Sequence, residues 1–321
     1  MSLEPLPPSS RLDRMPGRAP TDFVLGGSSR RLIYLIHGVT GTPVEMRYLA
    51  LGLARTGCDV YVTTLPGHCG RLRDLVQTTE VQWREHVKSQ LSFALEQYDA
   101  VYAAGLSAGG LLALEASLHL PLAGIGVLSP TFFYDGWNTP WHHFLLPLFI
   151  HLVPSAWQQL LFHVDGPPFG IKDEWLQDQV RSAYRPAAIF REWLGVWRRV
   201  TRDPQAPGSA HASASKGHPV FPLRTLAEVD RLIRRVRGTL SQVTAPTMIL
   251  QAKEDDMTSP RNATLVYDGI SSKQKQVVLL DDCYHVITVD KQKKTVVSHL
   301  SDFFNLPALH PGLRPSIPEP S

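Results

Sequence analysis

Short runs that are apolar at every position alternate along this chain with stretches whose apolar residues recur every three or four places. The runs 32–36, 60–64, 101–106 and 125–128 read as strands, and 247–251 and 277–280 read the same way. A strand that is apolar on both faces belongs inside a sheet covered on both sides. Between the second and third runs, Thr79 and Gln82 form a capping box, and Trp83, Val87, Leu91 and Leu95 follow at a spacing of four. Strand, helix and strand in succession predict βαβ units and a mostly parallel sheet. The alternation stops near Pro130 and resumes near Ala245, which predicts an insertion into the sheet domain.

The expected organisation follows from these breaks. A sheet domain spans 29–130 and 245–306, with an inserted cap at 131–244. A loose arm is expected at 1–28, a flexible tract at 203–219 and a disordered tail at 307–321, all rich in Pro, Ser, Ala or Gly. With 43% apolar and 19% charged residues, the chain can bury a sizeable core, and disorder throughout is excluded. A formal charge of +3 is too small to single out nucleic acid as a partner. Three cysteines, few and odd in number, argue against a disulfide framework and for a reducing compartment. The longest apolar run, 144–153, is ten residues and contains Pro147 and His151. A spanning helix needs about 20 residues. No leader is visible, and a cytoplasmic protein without a membrane span is expected.

Candidate chemistry sits where the strands end. After the run 101–106 comes Gly105-Leu106-Ser107-Ala108-Gly109-Gly110, followed by a helical run at 111–119. A serine at a sharp strand-to-helix turn has its Oγ pushed out of the sheet, and the helix N-terminus behind it favours a developing anion. Ser107 is the expected nucleophile. The first strand ends in His37-Gly38-Val39-Thr40-Gly41-Thr42-Pro43, whose glycines let a backbone N–H turn toward that serine. The expected oxyanion donors are the N–H groups of Val39 and Ala108. A hydrolytic serine also needs a base and an acid, later in the chain and in the order acid, then histidine. Glu254, Asp255 and Asp256 compete for the first place, at least two of them expected to be solvated. His285, after the strand 277–280, is singled out for the second.

These segments resemble the serine-dependent α/β-hydrolases, and within them microbial carboxylesterases and monoacylglycerol lipases. The resemblance rests on His37-Gly-Val-Thr-Gly-Thr-Pro, Leu65-Pro-Gly-His-Cys-Gly, Gly105-Leu-Ser-Ala-Gly-Gly, Gln251-Ala-Lys-Glu-Asp-Asp-Met and His285-Val-Ile-Thr-Val-Asp. It implies an α/β-hydrolase fold with a mostly parallel sheet and an inserted helical cap. It also implies Asp255 as the acid, a choice that spacing alone left open. Cys69 stands where relatives usually continue with glycine, and Cys283 where they often have serine or glycine.

The implied activity is carboxylic-ester hydrolysis through an acyl-enzyme, with a small acyl ester as substrate and no cofactor or metal. The cap holds six of the seven tryptophans. Trp137, Phe144, Leu148 and Phe149 are candidates for lining an acyl pocket, and the same apolar cap is a candidate for peripheral membrane contact. Between Arg185 and Arg237 ten arginines and one lysine face four acids. That excess suggests an acyl-thioesterase or acyltransferase as the alternative, and a non-catalytic hydrolase-like binding protein is the alternative of another class.

Overall fold

The computed structural model describes residues 11–26, 30–183, 186–201, 217–218 and 220–306. The expected tail at 307–321 and most of the tract at 203–219 lie outside them. Seven strands form the main sheet: β1 (Phe23–Leu25), β2 (Arg31–Ile36), β3 (Asp59–Thr63), β4 (Ala100–Leu106), β5 (Gly124–Leu128), then, after a separate two-stranded ribbon of β6 (Phe162–Val164) and β7 (Val220–Pro222), β8 (Thr247–Ala252) and β9 (Lys275–Leu280). Their spatial order is β1-β3-β2-β4-β5-β8-β9. Every pairing is parallel except that of β1 with β3. Ile36 pairs with Gly105, so the loops after β2 and β4 leave the sheet side by side. The loops after β8 and β9 leave the same edge, where open α/β sheets place their sites.

The helices are α1 (Arg47–Ala54), α2 (Leu72–Leu75), α3 (Glu80–Gln97), α4 (Ala108–Ser117), α5 (Leu146–Leu152), α6 (Ser155–Gln158), α7 (Glu174–Ala183), α8 (Pro186–Thr201), α9 (Leu223–Thr239), α10 (Arg261–Gly269) and α11 (Lys293–Phe303). Strand side chains alternate between two cores. Leu32, Tyr34 and Ile36 of β2 pack with α3, α4, α9 and α10, whereas Ile33 and Leu35 pack with α1 and α11. Both faces of the sheet are thus covered, which is why its strands read as continuous apolar runs.

Two expectations are corrected. The arm expected at 1–28 is anchored over 11–26. Leu12 and Met15 are buried in the core beneath α3, and β1 extends the sheet. Asp22 fixes the segment by accepting from Tyr61 OH at 2.5 Å, Thr64 N at 2.6 Å and Ala19 N at 3.0 Å. Prolines masked this, because a chain without its own helix or long strand can still be held by its side chains. The cap expected at 131–244 ends earlier, at β7. Helix α9 packs Leu232, Ile233 and Val236 into the core shared with α3 and α4, and its arginine-rich outer face had made it look like cap. Among the described residues, no helix is long and apolar enough to cross a membrane.

Candidate active site

The turn from β4 into α4 is built by close backbone approach. A Cβ on Gly105 would lie 2.1 Å from the Gly109 carbonyl, and one on Gly109 would lie 2.5 Å from Ile36 O. Only glycine fits at either place. Between them Ser107 takes φ 56° and ψ −122°, a left-handed conformation costing of order 1–3 kcal/mol for a residue with a side chain. It is held by Ser107 N→Leu128 O at 2.8 Å and Gly110 N→Ser107 O at 3.0 Å. The Oγ hydrogen-bonds Thr131 Oγ1 at 2.8 Å.

Opposite, His285 is 5% exposed and donates from Nδ1 to Asp255, 2.9 Å from Oδ2 and 3.1 Å from Oδ1. Asp255 also accepts from Gln251 Nε2, the backbone N–H groups of Met257 and Thr258, and Thr258 Oγ1, at 2.7–3.1 Å. This leaves Nε2 of His285 without a hydrogen bond among the described residues, on the side that a base would use. Burial pushes the imidazole down. The charge and hydrogen bond of Asp255, with Asp256 and Glu45 beyond, outweigh it, so the pKa sits above the ordinary 6.5.

The three competing acids separate by burial. Glu254 is exposed and pairs with Lys172 at 2.7 Å. Asp256, expected to be solvated if Asp255 is the acid, is instead 2% exposed. Its carboxylate accepts from His285 N at 3.3 Å and from Gly170 N at 3.1 Å, tying the histidine loop to the cap segment before α7. Burial raises its pKa, and the like charge of Asp255 adds to this.

In the loop after β2 the backbone groups can be accounted for one at a time. Gly38 N donates to Glu45 Oε1 at 2.5 Å, Thr40 N to His68 Nε2 at 3.2 Å, and Gly41 N to Gly38 O at 3.2 Å. Thr40 O accepts from His218 N at 2.8 Å. The N–H of Val39 has no acceptor among the described residues, nor does that of Ala108 at the start of α4. His37 and His68 brace this loop against the one after β3. His37 Nε2 accepts from Leu65 N at 3.1 Å while its Nδ1 donates to Gly38 O at 2.7 Å. Both rings are buried and neutral; burial lowers His37 to about 4 and His68 well below its ordinary value.

Ser107, His285, Val39, Ala108, Thr131 and Glu45 line one cavity of about 310 Å³. Among the described residues, no lysine or arginine lines it. A second cavity, about 420 Å³, shares Tyr134, Asp165, Phe221, Leu226 and Met257 with the first and continues into the cap. Of the four candidate pocket residues, Phe149 lines this second cavity. Trp137, Phe144 and Leu148 line neither. Phe144, Leu148 and Phe149 are all at least half exposed, and Trp137 donates to Glu254 O at 2.9 Å and packs edge-on against Tyr284. Sequence reading missed Thr131 and Glu45, and weighed Asp256 only as a competing acid, not as a buried support. An acid in the first turn after Thr42-Pro43 was the available signal for Glu45. Nothing in the spacing marks the other two.

Four arginines of the basic stretch make internal pairs. On α9, Arg224 and Arg231 pair with buried Glu228, Arg234 with Asp230, and Arg235 with buried Glu115. Among the described residues, no cluster of His, Cys, Asp and Glu is placed to hold a metal ion.

Two curated relatives are similar over nearly their whole length. A thermostable monoacylglycerol lipase from Bacillus sp. (strain H-257) is 24% identical over 85% of this chain and 89% of its own. A carboxylesterase from Bacillus subtilis (strain 168) is 24% identical over 88% of this chain and 96% of its own. Among solved structures, one of metagenome-derived lipolytic enzymes gives a TM-score of 0.67 at 23% identity, covering 90% of this chain and 99% of the other. A soluble variant of monoglyceride lipase from Saccharomyces cerevisiae gives 0.66 at 15% identity, covering 88% and 90%. At those identities the structures establish the shared fold. The family profile described as serine aminopeptidase, S33, matches residues 27–292. Fold, sheet order and a match over most of the chain make this protein an α/β-hydrolase of the S33 serine aminopeptidase family.

Proposed function

We propose that the chain hydrolyses carboxylic esters, as a carboxylesterase or monoacylglycerol lipase does, through an acyl-enzyme on Ser107. The observation that carries this reading is one cavity faced by Ser107, by His285 paired with Asp255, and by the unengaged N–H groups of Val39 and Ala108. The Ser107 hydroxyl leaves Thr131, and Oγ attacks the ester carbonyl carbon as His285 Nε2 takes its proton. The two N–H groups hold the oxyanion, and Asp255 stabilises the imidazolium. His285 then returns the proton to the departing alcohol. Water, deprotonated by the same nitrogen, attacks the acyl carbon and frees both acid and serine.

The names of the two Bacillus relatives support esters over the peptides that the family description suggests. Among the described residues the cavity has no lysine or arginine, and Arg224, Arg231 and Arg235 of α9 are already paired, which favours uncharged esters over coenzyme A thioesters, whose phosphates call for cations. Three free thiols fit a reducing compartment. The test is labelling by a fluorophosphonate probe together with turnover of p-nitrophenyl esters, a matched thioester and an aminoacyl p-nitroanilide. Esters should be the best substrates. Ser107→Ala and His285→Ala should each lower kcat by about 10⁴-fold or more in folded protein, since a triad acts as a unit. Absence of labelling would leave the non-catalytic reading standing, and faster anilide cleavage would return the chain to the peptidases.

A further inference from the structure

Glu45 lines the first cavity and has no role in the scheme above. It stands in the 3₁₀ turn Pro43–Met46 that follows the oxyanion loop. Its Oε1 accepts the Gly38 N–H at 2.5 Å. Both carboxyl oxygens press on Gly41, where a Cβ would lie 2.3 Å and 2.6 Å from them. A Cβ on Gly38 would meet Glu45 Oε1 at 3.3 Å and Ser107 Cβ at 3.6 Å, so the carboxyl and the nucleophile flank the same glycine. The two glycines make a cradle for this carboxyl, and the residue between Gly38 and Thr40 is Val39, whose N–H is free to face the oxyanion.

We propose that Glu45 is a positioning residue for ester cleavage: its carboxyl, seated against Gly38 and Gly41 in the cavity that His285 also lines, clamps the oxyanion loop through Gly38. The proposal rests on the ester-hydrolase reading. Burial raises Glu45 to about 7, with the Gly38 N–H and His285 pulling it down, so it titrates near neutrality. The groups around it come from four elements. His285 lies after β9, and Asp255 and Asp256 after β8 act on that imidazole. Cys69 lies after β3, its thiol pushed up to about 11 by burial, with Glu45 and Asp22 adding to the effect. Asp165 of the cap, raised to about 6 by burial, senses Asp256 and His285. An ionised Glu45 holds the proton on His285 more firmly, so it moves the acid limb of activity to higher pH.

Hydrogen bond and charge are separable by substitution. Glu45→Gln keeps an acceptor for Gly38 N–H and loses the charge; Glu45→Ala loses both. Using the full chain and a p-nitrophenyl ester, Glu45→Ala should lower kcat about 10-fold to 100-fold with KM little changed, less than the 10²–10³ that deleting an oxyanion donor costs. Glu45→Gln should restore most of that kcat while shifting the acid limb of kcat/KM to lower pH. A wild-type kcat in Glu45→Ala would overturn the clamp, and so would a Glu45→Gln variant with both low kcat and an unmoved limb. If circular dichroism shows Glu45→Ala unfolded, the limb in Glu45→Gln decides alone. Ser107→Ala run in parallel keeps the two readings apart. Retained turnover there sinks the ester-hydrolase scheme, whereas a dead Ser107→Ala beside unaffected Glu45 variants sinks only the role of Glu45.

Discussion

Glu254 lies in solvent beside Lys172 while Asp255 and Asp256 are both buried, and their donors alone tell those two apart. Asp255 meets the imidazole; Asp256 meets the backbone behind it. Asp256→Asn offers one acceptor oxygen where two N–H groups need one each. It should cost about 1–3 kcal/mol of stability, as an unsatisfied buried donor does. It should also lower kcat by roughly 10-fold by loosening His285. Denaturant midpoints and steady-state kinetics would check both, and wild-type values in both would remove Asp256 from the machinery. In the proposed scheme His285 is the base and, against burial, Asp255 holds its pKa above 6.5. The protonated, inactive form therefore persists past that pH, and kcat/KM should rise with an acid limb above pH 6.5. A pH–rate profile with its limb at or below 6.5 would contradict the balance drawn between burial and Asp255. Ser107 and His285 could be singled out in the sequence because each follows an apolar run readable as a strand, and they line one cavity, although the run before His285 is the half-exposed edge strand β9. Asp256 and Glu45 could not, since adjacent acids look alike until burial distinguishes them.

At the scale of elements, the parallel strands were legible to within two residues at their starts, and α3 through its capping box. The short pieces were not. The three-residue β1 has too little pattern to read, and α9 carries its identity on its buried face, with Leu232 and Val236 beneath a surface of arginines. Cys69 takes φ 58°, a conformation that glycine adopts without steric cost. Within the cap, Phe149 lines the second cavity although it is half exposed, whereas Phe144, in the turn before α5, and Leu148 line neither cavity. Phe149→Ala should lower kcat/KM for long acyl esters more than for acetate, since each buried methylene contributes about 0.8 kcal/mol. Phe144→Ala and Leu148→Ala should not discriminate between them. A chain-length series on p-nitrophenyl esters checks this. An equal loss on acetate and long esters in Phe149→Ala would give that ring a packing role only.

For the whole molecule, the neutral histidines around the oxyanion loop set its tolerance of acid. His37 binds its proton near pH 6.5 when unfolded and near 4 when folded. Between those values the unfolded chain takes up a proton that the native state refuses. The stability it contributes is complete above pH 6.5 and drains away as the pH falls toward 4. For this one ring the loss is about 3 kcal/mol. His68 and His218 are shifted in the same direction, and His285 in the opposite one. The urea midpoint should fall clearly between pH 7.5 and pH 5, and a constant midpoint would show that these rings titrate normally.

The segment that carries Leu12, Asp22 and β1 bears on how molecules meet one another. Without it, β3 would be the outermost strand: five buried residues in a parallel row, with unpaired backbone groups on its open side. Such a row is a template for another chain. The three residues of β1 replace it with a border too short and of the wrong polarity to propagate pairing. Proteolytic removal of the first 25 residues would thus expose a seed for strand-to-strand aggregation, at the far side of the sheet from β9 and without touching a catalytic atom.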